Sequence, residues 1–569
     1  MLHVLYFLSA AASVAVTSLD GSHWSLRNAN GSLFINGTVT VPSTVPRALH
    51  AGGGASQRPT FGYNQNSVLD LMTGDNFTYS RSFEYAAAKS ERVDLVLLGV
   101  DTASTVTLNG VILGATNDMH VPYAFDITSA LGQRTKHELS IAIVSATVFA
   151  QGVAAAATPS DPNCTKSTRE YWPSKFGHGT ACATYVRKWT GSFGWDCTRA
   201  FVAQGLYKSV ELRSYAVARI NQVAPIIKSS RAKGALLSDG NNAFVVEVRA
   251  FVTVSVASDL DVVVRAGWPG GAAVTTKAVT VAATGSALAD QTQLVVEGIV
   301  AKNVALWWTH DVGNRSQARY TLNVSLVDRT TRAVLDVFST RVGFRTFEYV
   351  GSVGNESHGE RWPLFFRLNG VPLFSKGFNW MPIDVLPVVQ RNAGASAFVD
   401  NNIADVNIDA GAKAARGPTG SAPAAAQAAA KRARIADVRA IGGNTIRIWG
   451  GGVYEDETFY GECDSLGILV MQDGSFFGHY TEDPAFLATV KLEVAHIARR
   501  LAPHPSLAVW NGNNESPIYA NLPLFIGAQV RAQLRWSLAA RLAFHHAERY
   551  TAPACSPPIL PILPPSLLP

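Results

Sequence analysis

Charge is what this sequence has least of. Only 16% of its 569 residues are Asp, Glu, Lys or Arg, against roughly a quarter in ordinary soluble chains. The 48 basic and 42 acidic side chains leave a net +6, spread thinly and without a long Lys/Arg run, which excludes nucleic acid as a primary partner. Cysteine is scarce as well, and five in such a length do not make a disulfide scaffold. Beyond the N-terminus no apolar run approaches the ~20 residues that cross a bilayer, so no membrane span is expected in the mature chain. Apolar material, in contrast, is abundant at 47% and excludes wholesale disorder. At about 100–200 residues per domain, the length predicts three or four domains.

Residues 1–18 read as a secretory signal peptide, because Val4-Leu5-Tyr6-Phe7-Leu8 passes into the small residues Ala10, Ala11, Ala12, Ser13 and Ala15. A buried first strand is the other reading of the same residues. Asn-x-Ser/Thr acceptors at Asn30, Asn36, Asn76, Asn163, Asn314, Asn323, Asn355 and Asn514 point the same way as a leader, since glycans would solubilise a surface poor in charge. The expected compartment is the secretory pathway, whether lysosomal, vacuolar or extracellular. In an oxidising compartment Cys164 and Cys182, which flank a polar loop containing proline, are the expected disulfide. Cys463 lies on a helix face and reads as a small core residue.

From 19 to 215 short apolar segments alternate with period two, as in Val93, Leu95 and Leu97, and are broken by turn residues; this predicts antiparallel strands. Asn109-Gly110 is a hairpin signal, because both residues tolerate positive φ. A second all-β stretch, 216–346, has Phe244, Val246 and Val248, then Tyr320, Leu322, Val324 and Leu326 in alternation, and reads as an immunoglobulin-like sandwich. From 347 to 550 short apolar strands (Leu373-Phe374, Ile446 to Trp449, Ile468 to Val470, Leu507 to Trp510) alternate with helical segments. One of these helices is opened by Asp483-Pro484 and carries Phe486, Val490, Val494, Ile497 and Leu501. Such alternation predicts a parallel sheet and the opening of a (β/α)₈ barrel. Residues 392–430, rich in Ala, Gly and Asn, are expected to be a low-complexity insertion, and 551–569 a Pro-rich tail that continues no element.

In such a barrel the functional side chains sit at the C-terminal strand ends. Those ends carry Asn379-Trp380, Arg447 and Trp449 before Gly450-Gly451-Gly452, Gln472-Asp473, and Asn513-Asn514-Glu515. Asn, Asp and Arg bind sugar hydroxyls while Trp stacks on ring C–H faces; each Trp serves equally well as a core filler. Glu515 is the candidate general acid, a strand-end carboxyl that can donate to a glycosidic oxygen. Read alone, it is also part of a glycan acceptor or a helix-start carboxylate. His545-His546 near Glu548 have no distant partners and read as a solvated face, so no metal and no cofactor are expected.

The runs Asn444 to Glu455, Cys463 to Asp473 and His504 to Glu515, with Lys376 to Pro382, Trp307-Trp308, Val186-Arg187-Lys188, Ser192 to Asp196 and Gly99 to Asp101 upstream, resemble the β-mannosidases of glycoside hydrolase family 2. The resemblance covers most of 20–550. It implies a multidomain β plus α/β fold: a jelly-roll β-sandwich, an immunoglobulin-like β-sandwich and, here, the first half of a (β/α)₈ TIM barrel. It also implies retaining removal of terminal β-mannose from oligosaccharides by two carboxyls about 5–5.5 Å apart. Glu515 would be the acid/base and Asn514 would bind near the sugar 2-hydroxyl. Arg447, Trp449, Trp380, Asp384, Trp195 and Asp196 would line the mannose subsite.

The family's Trp-Asp-Trp-Gly-Pro motif reads Trp195-Asp196-Cys197-Thr198-Arg199 here, and Gly474-Ser475 replaces an aromatic after Gln472-Asp473. The family nucleophile is a Glu on the seventh strand, which lies beyond this chain. Glu462, Glu482, Glu493 and Glu548 are not at strand ends and do not replace it. Two functions follow as expectations: a β-mannosidase acting on glycoprotein oligosaccharides, or a catalytically inactive carbohydrate-binding or vestigial fragment.

Overall fold

Two β-sandwiches precede a run of parallel strands and helices. The computed structural model describes residues 14–51, 74–88, 91–157, 182–194, 200–269, 274–313, 315–350, 365–389, 422–477, 480–515 and 522–534.

The first sandwich packs a four-stranded sheet, in the order Ala15–Ser18, Val210–Tyr215, Arg92–Leu97 and Tyr123–Asp126, on a six-stranded one. The latter runs Phe34–Val41, Gly21–Asn28, Phe77–Glu84, Lys136–Val144, Ala103–Leu108 and Val111–Thr116. Alternate residues such as Leu95, Leu97, Leu139, Ile141 and Ile143 fill the space between them, as period-two patterning requires. Asn109 and Gly110 take positive φ, 52° and 82°, and close the expected hairpin. Ala15–Ser18 pairs antiparallel with Ser214 to Glu211, so backbone hydrogen bonding draws the last four residues assigned to the leader into the fold. Residues 1–13 are outside the described set.

The second sandwich faces the three strands Ala218–Ser229, Ala243–Val254 and Thr292–Lys302 against four, Val274–Val281, Ser258–Ala266, Tyr320–Asp328 and Val334–Val342. Phe244, Val246, Val248, Leu322, Val324 and Leu326 are all at most 0% exposed, each contributing about 1.5–3 kcal/mol of burial. This core continues into Trp307 and Trp308, and the Trp307 indole donates to the carbonyl of Asp464 at 2.8 Å. The sandwich is thereby fastened to the region that follows.

That region differs from expectation in three respects. Phe347–Val350, Phe365–Leu368 and Val371–Leu373 form a small antiparallel sheet, in which Asn369 and Gly370 (φ 52° and 83°) make a tight hairpin. The Leu373-Phe374 segment therefore belongs to a hairpin, and parallel pairing begins at Gly377–Trp380. Second, 422–430 of the expected insertion is already helix, within Ala422–Ala440: alanine, unpatterned in hydropathy, is the best intrinsic helix former. Residues 390–421 are outside the described set. Third, no closed barrel forms among the described residues. Gly377–Trp380, Thr445–Ile448, Leu469–Asp473 and Leu507–Asn511 make an open, four-stranded, all-parallel sheet in sequential order.

The helices Ala422–Ala440, Glu457–Leu466, Pro484–Leu501 and Leu522–Leu534 share one core with Ile446, Ile448, Val470 and Trp510 of these strands. Asp483 opens the third of these, accepting from the backbone N–H of Ala485 at 2.9 Å and of Phe486 at 3.3 Å, with Pro484 at the first turn. Its buried stripe includes Phe486, Val490, Val494, Ile497 and Leu501. Cys463 is buried and free. Because side chains alternate across a strand, helix packing of Ile446 and Ile448 turns Arg447 to the opposite face of the sheet.

Candidate active site

Arg447 is the hub of that opposite face. Its Nε and Nη2 both donate to Asp473, the last residue of its strand, with Nε 3.2 Å from Oδ1. Nη2 also donates to Oδ1 of Asn514 at 2.7 Å, and Nη1 to Oδ1 of Asn379 at 3.2 Å. Asp473 is fully buried and accepts further from the Asn511 amide at 2.7 Å and the Gly450 N–H at 3.1 Å. Two oxygens thus take four donors, the full capacity of a carboxylate. Burial pushes the Asp473 carboxyl up, while Arg447, Asn511 and the Gly450 N–H pull it back.

Asn514 is buried, and its N–H donates to the carbonyl of Phe476 at 3.0 Å. Its Oδ1 accepts from Arg447, and because the side chain is buried its place in a glycan-acceptor triplet has no surface counterpart. Glu515 follows it, exposed and with φ +49°, a backbone conformation that non-glycine residues adopt at a cost and that concentrates at functional sites. The turn aims Glu515 out of the sheet while Asn514 stays inside.

Trp449 closes one side. It is buried against Phe477, ring centroids 5.5 Å apart, and Gly451 passes so close that a Cβ there would lie 2.0 Å from the indole. The 3₁₀ turn Thr190–Phe193 of the first sandwich lands on this loop: Gly191 N–H donates to the Gly451 carbonyl at 2.7 Å. The seam is reinforced by Thr190 with Tyr480 and by Arg187, which stacks on Phe476 at 3.8 Å and donates to the Ser475 carbonyl at 3.0 Å. Trp195 and Asp196 follow this turn but lie outside the described residues. So does Cys164; Cys182 is disulfide-bonded.

Two other expected residues are not brought to Arg447. Trp380 turns toward the helices, donating from its indole to Oε1 of Glu455 at 2.9 Å and packing edge-on against Phe459 at 4.9 Å. Its neighbour Asn379 has the inward place, because it is in register with Arg447. Asp384 accepts from Arg47 of the first sandwich, from Gln427 at 3.0 Å and from the Leu386 N–H at 2.9 Å; these contacts pin a loop. Sequence reasoning placed Asn379 and Asp473 at the functional strand ends without naming them for the mannose subsite, and it did not single out Asn511. The signal that finds them is strand alternation combined with parallel register to Arg447.

A cleft of about 630 Å³ lies against the sheet, lined by Phe347, Phe366, Met471, Val509 and Asn511 among others, and contains neither Arg447 nor Glu515. Among the described residues, the one cluster of metal-ligand type is Asp118, His120 and Glu493, in which Glu493 is already engaged by Arg187. No described helix is long and apolar enough to cross a membrane.

Residues 24–208 match the family model described as glycosyl hydrolase 2 galactose-binding domain-like, and 231–345 match glycosyl hydrolases family 2. The chain is 29% identical to the beta-mannosidase of Mus musculus over 538 residues, 92% of this chain and 53% of the relative. It is 28% identical to beta-mannosidase B of Aspergillus clavatus over 479 residues, 84% of this chain and 48% of the relative. The chain thus spans about half the length of the curated relatives it matches. The crystal structure of a β-D-mannosidase from Dictyoglomus thermophilum shares the fold with a TM-score of 0.67 at 23% identity, covering 93% of this chain and 56% of that one.

Proposed function

Because the chain belongs to glycoside hydrolase family 2, we propose that it serves the hydrolysis of terminal, non-reducing β-mannose residues of glycoprotein oligosaccharides. The observation that carries this reading is the Arg447 to Asn514 hydrogen bond next to Glu515 at the end of a parallel strand. Arg447 and Asn514 present fixed donors to sugar hydroxyls, Trp449 a ring face, and Glu515 a proton for the departing glycosidic oxygen.

A retaining route needs a second carboxyl about 5–5.5 Å from the acid/base. Asp473 is unsuited to attack, because all four of its acceptor positions are filled. The nucleophile is assigned to none of the described residues. Trp380 and Asp384 support the subsite from behind, through Glu455 and Arg47. A secretory-pathway compartment is proposed on the density of glycan acceptors and the apolar start of the chain. No cofactor is assigned to the reaction.

The test is turnover of an aryl β-mannoside by this chain. Hydrolysis that falls roughly 10²- to 10⁴-fold in Glu515→Gln supports the reading. Turnover unaffected by that change would refute the assignment of Glu515, whereas mannoside binding without turnover would favour the carbohydrate-binding alternative.

A further inference from the structure

The seam between the first sandwich and the parallel strands holds a buried group of charges that the proposed reaction does not use. Arg187 lays its guanidinium on Glu493 of the Pro484–Leu501 helix, Nε to Oε2 at 2.5 Å and Nη2 to Oε1 at 2.8 Å. Tyr454 donates to the same Oε1 at 3.0 Å. Asp118 of the first sandwich comes from the other side. One of its oxygens accepts from the His120 N–H at 2.8 Å, while Oδ2 is buried with no donor. Ligand atoms of Asp118, His120 and Glu493 lie within 4.8 Å of one another.

Two facing carboxylates are both acceptors, so they bond only when one carries a proton. The charge count points the same way. Arg187 and Glu493 cancel; an ionised Asp118 would leave a buried net negative charge, and a divalent ion beside the guanidinium would leave a buried positive one. A single proton makes the group neutral and gives Oδ2 of Asp118 a partner.

We propose that Asp118 is protonated and shares its proton with Glu493, making it a positioning residue that acts through Arg187 to seat the Gly191 turn on the Trp449 loop, more firmly in acid than at neutral pH. This goes beyond the proposed hydrolysis and holds whether or not the chain turns over a mannoside. Burial and the Glu493 charge both push the Asp118 carboxyl up. The other groups facing the cluster do not compete. His120 is kept neutral by burial and by Arg187, and the phenols of Tyr123, Tyr207, Tyr454 and Tyr480 are all pushed up by burial. Of the cations, Lys188 is paired with Asp101, Arg500 with Glu457, and Lys208 is brought down to about 8 by burial. The informative window is therefore below about pH 7.

A carboxyl whose pKa is raised on folding stabilises the protein most in acid, and that stability is lost as pH rises from the ordinary value of about 3.9 through the folded one. The experiment is thermal unfolding of the full chain between about pH 4 and about pH 7, for wild type and Asp118→Asn, whose amide donates to Glu493 at every pH. The expected result is coincidence near pH 4 and a variant midpoint several degrees higher near pH 7. An offset independent of pH, or a variant less stable near pH 7, would overturn the proposal. If the variant does not fold, the infrared carboxylic-acid C=O band of the wild-type chain near pH 6 decides, and its absence is adverse. Stabilisation by added Zn²⁺ that requires Asp118 would also overturn it, by making the group a metal site.

Discussion

The Nη2 of Arg447 lies 2.7 Å from Oδ1 of Asn514, and the same nitrogen donates to the buried Asp473. Arg447 is thus oriented from behind by a carboxylate that never reaches the surface. The residue that holds this pair in place sits one strand away from both.

Replacing Asp473 by Asn removes that grip while keeping the side-chain shape. Hydrogen bonds to charged groups contribute about 1.5–3 kcal/mol, so the affinity for an aryl mannoside is expected to fall roughly 10- to 100-fold. A titration followed by the fluorescence of Trp449 would measure it. An unchanged affinity would show that Arg447 needs no such support.

Gly191 tests the seam from the other domain. A Cβ at this position would lie 2.8 Å from the Gly451 carbonyl and 3.2 Å from the Trp449 ring. Gly191→Ala should therefore lift the Thr190–Phe193 turn, with a cost of about 1–3 kcal/mol typical of overpacking. Hydrogen exchange confined to 190–193 and 449–452 is the expected signature, with the second sandwich undisturbed.

His504 predicts a pH profile. It bridges Asp464 at 2.7 Å and Glu457 at 3.0 Å. Burial lowers its affinity for a proton, but the two carboxylates outweigh this and raise its pKa to about 10. Glu457 is pushed up by burial, yet bonds from His504 and Arg500 hold it at about 2. A raised histidine stabilises fully below its unfolded value of about 6.5 and loses this as pH climbs toward 10. A lowered carboxyl stabilises above about 4.3 and loses this as pH falls toward 2. The stabilisation these two groups supply should thus be greatest between about pH 4.5 and 6.5. In His504→Gln the decline from about pH 6.5 to about pH 10 should flatten, and calorimetry across that range would detect it.

Much of this was legible in the sequence because it rests on local chemistry. Asn109-Gly110 specifies its hairpin, Asp483-Pro484 its helix start, and Ile446 and Ile448 the inward turn of Arg447 between them. What escaped depends on partners remote in sequence. Trp380 and Asn379 are adjacent and equally polar-aromatic in promise, and only the register with Arg447 decides which faces the site. Asp384 looks like a sugar ligand until Arg47, 337 positions earlier, claims it. The alanines of 423–430 carry no hydropathy pattern, so nothing in the period distinguishes their helix from a loop.

Arg187 and Glu493 are separated by 306 positions, with the whole second sandwich between them. Closing so long a loop costs configurational entropy that no local contact offsets beforehand. The seam, and with it the wall that Gly191 adds beside Trp449, can form only after both sandwiches and the third parallel helix have folded. Recovery of the Arg187–Glu493 seam on refolding should therefore trail recovery of secondary structure, and a chaperone acting on this chain would be guarding that seam for longest.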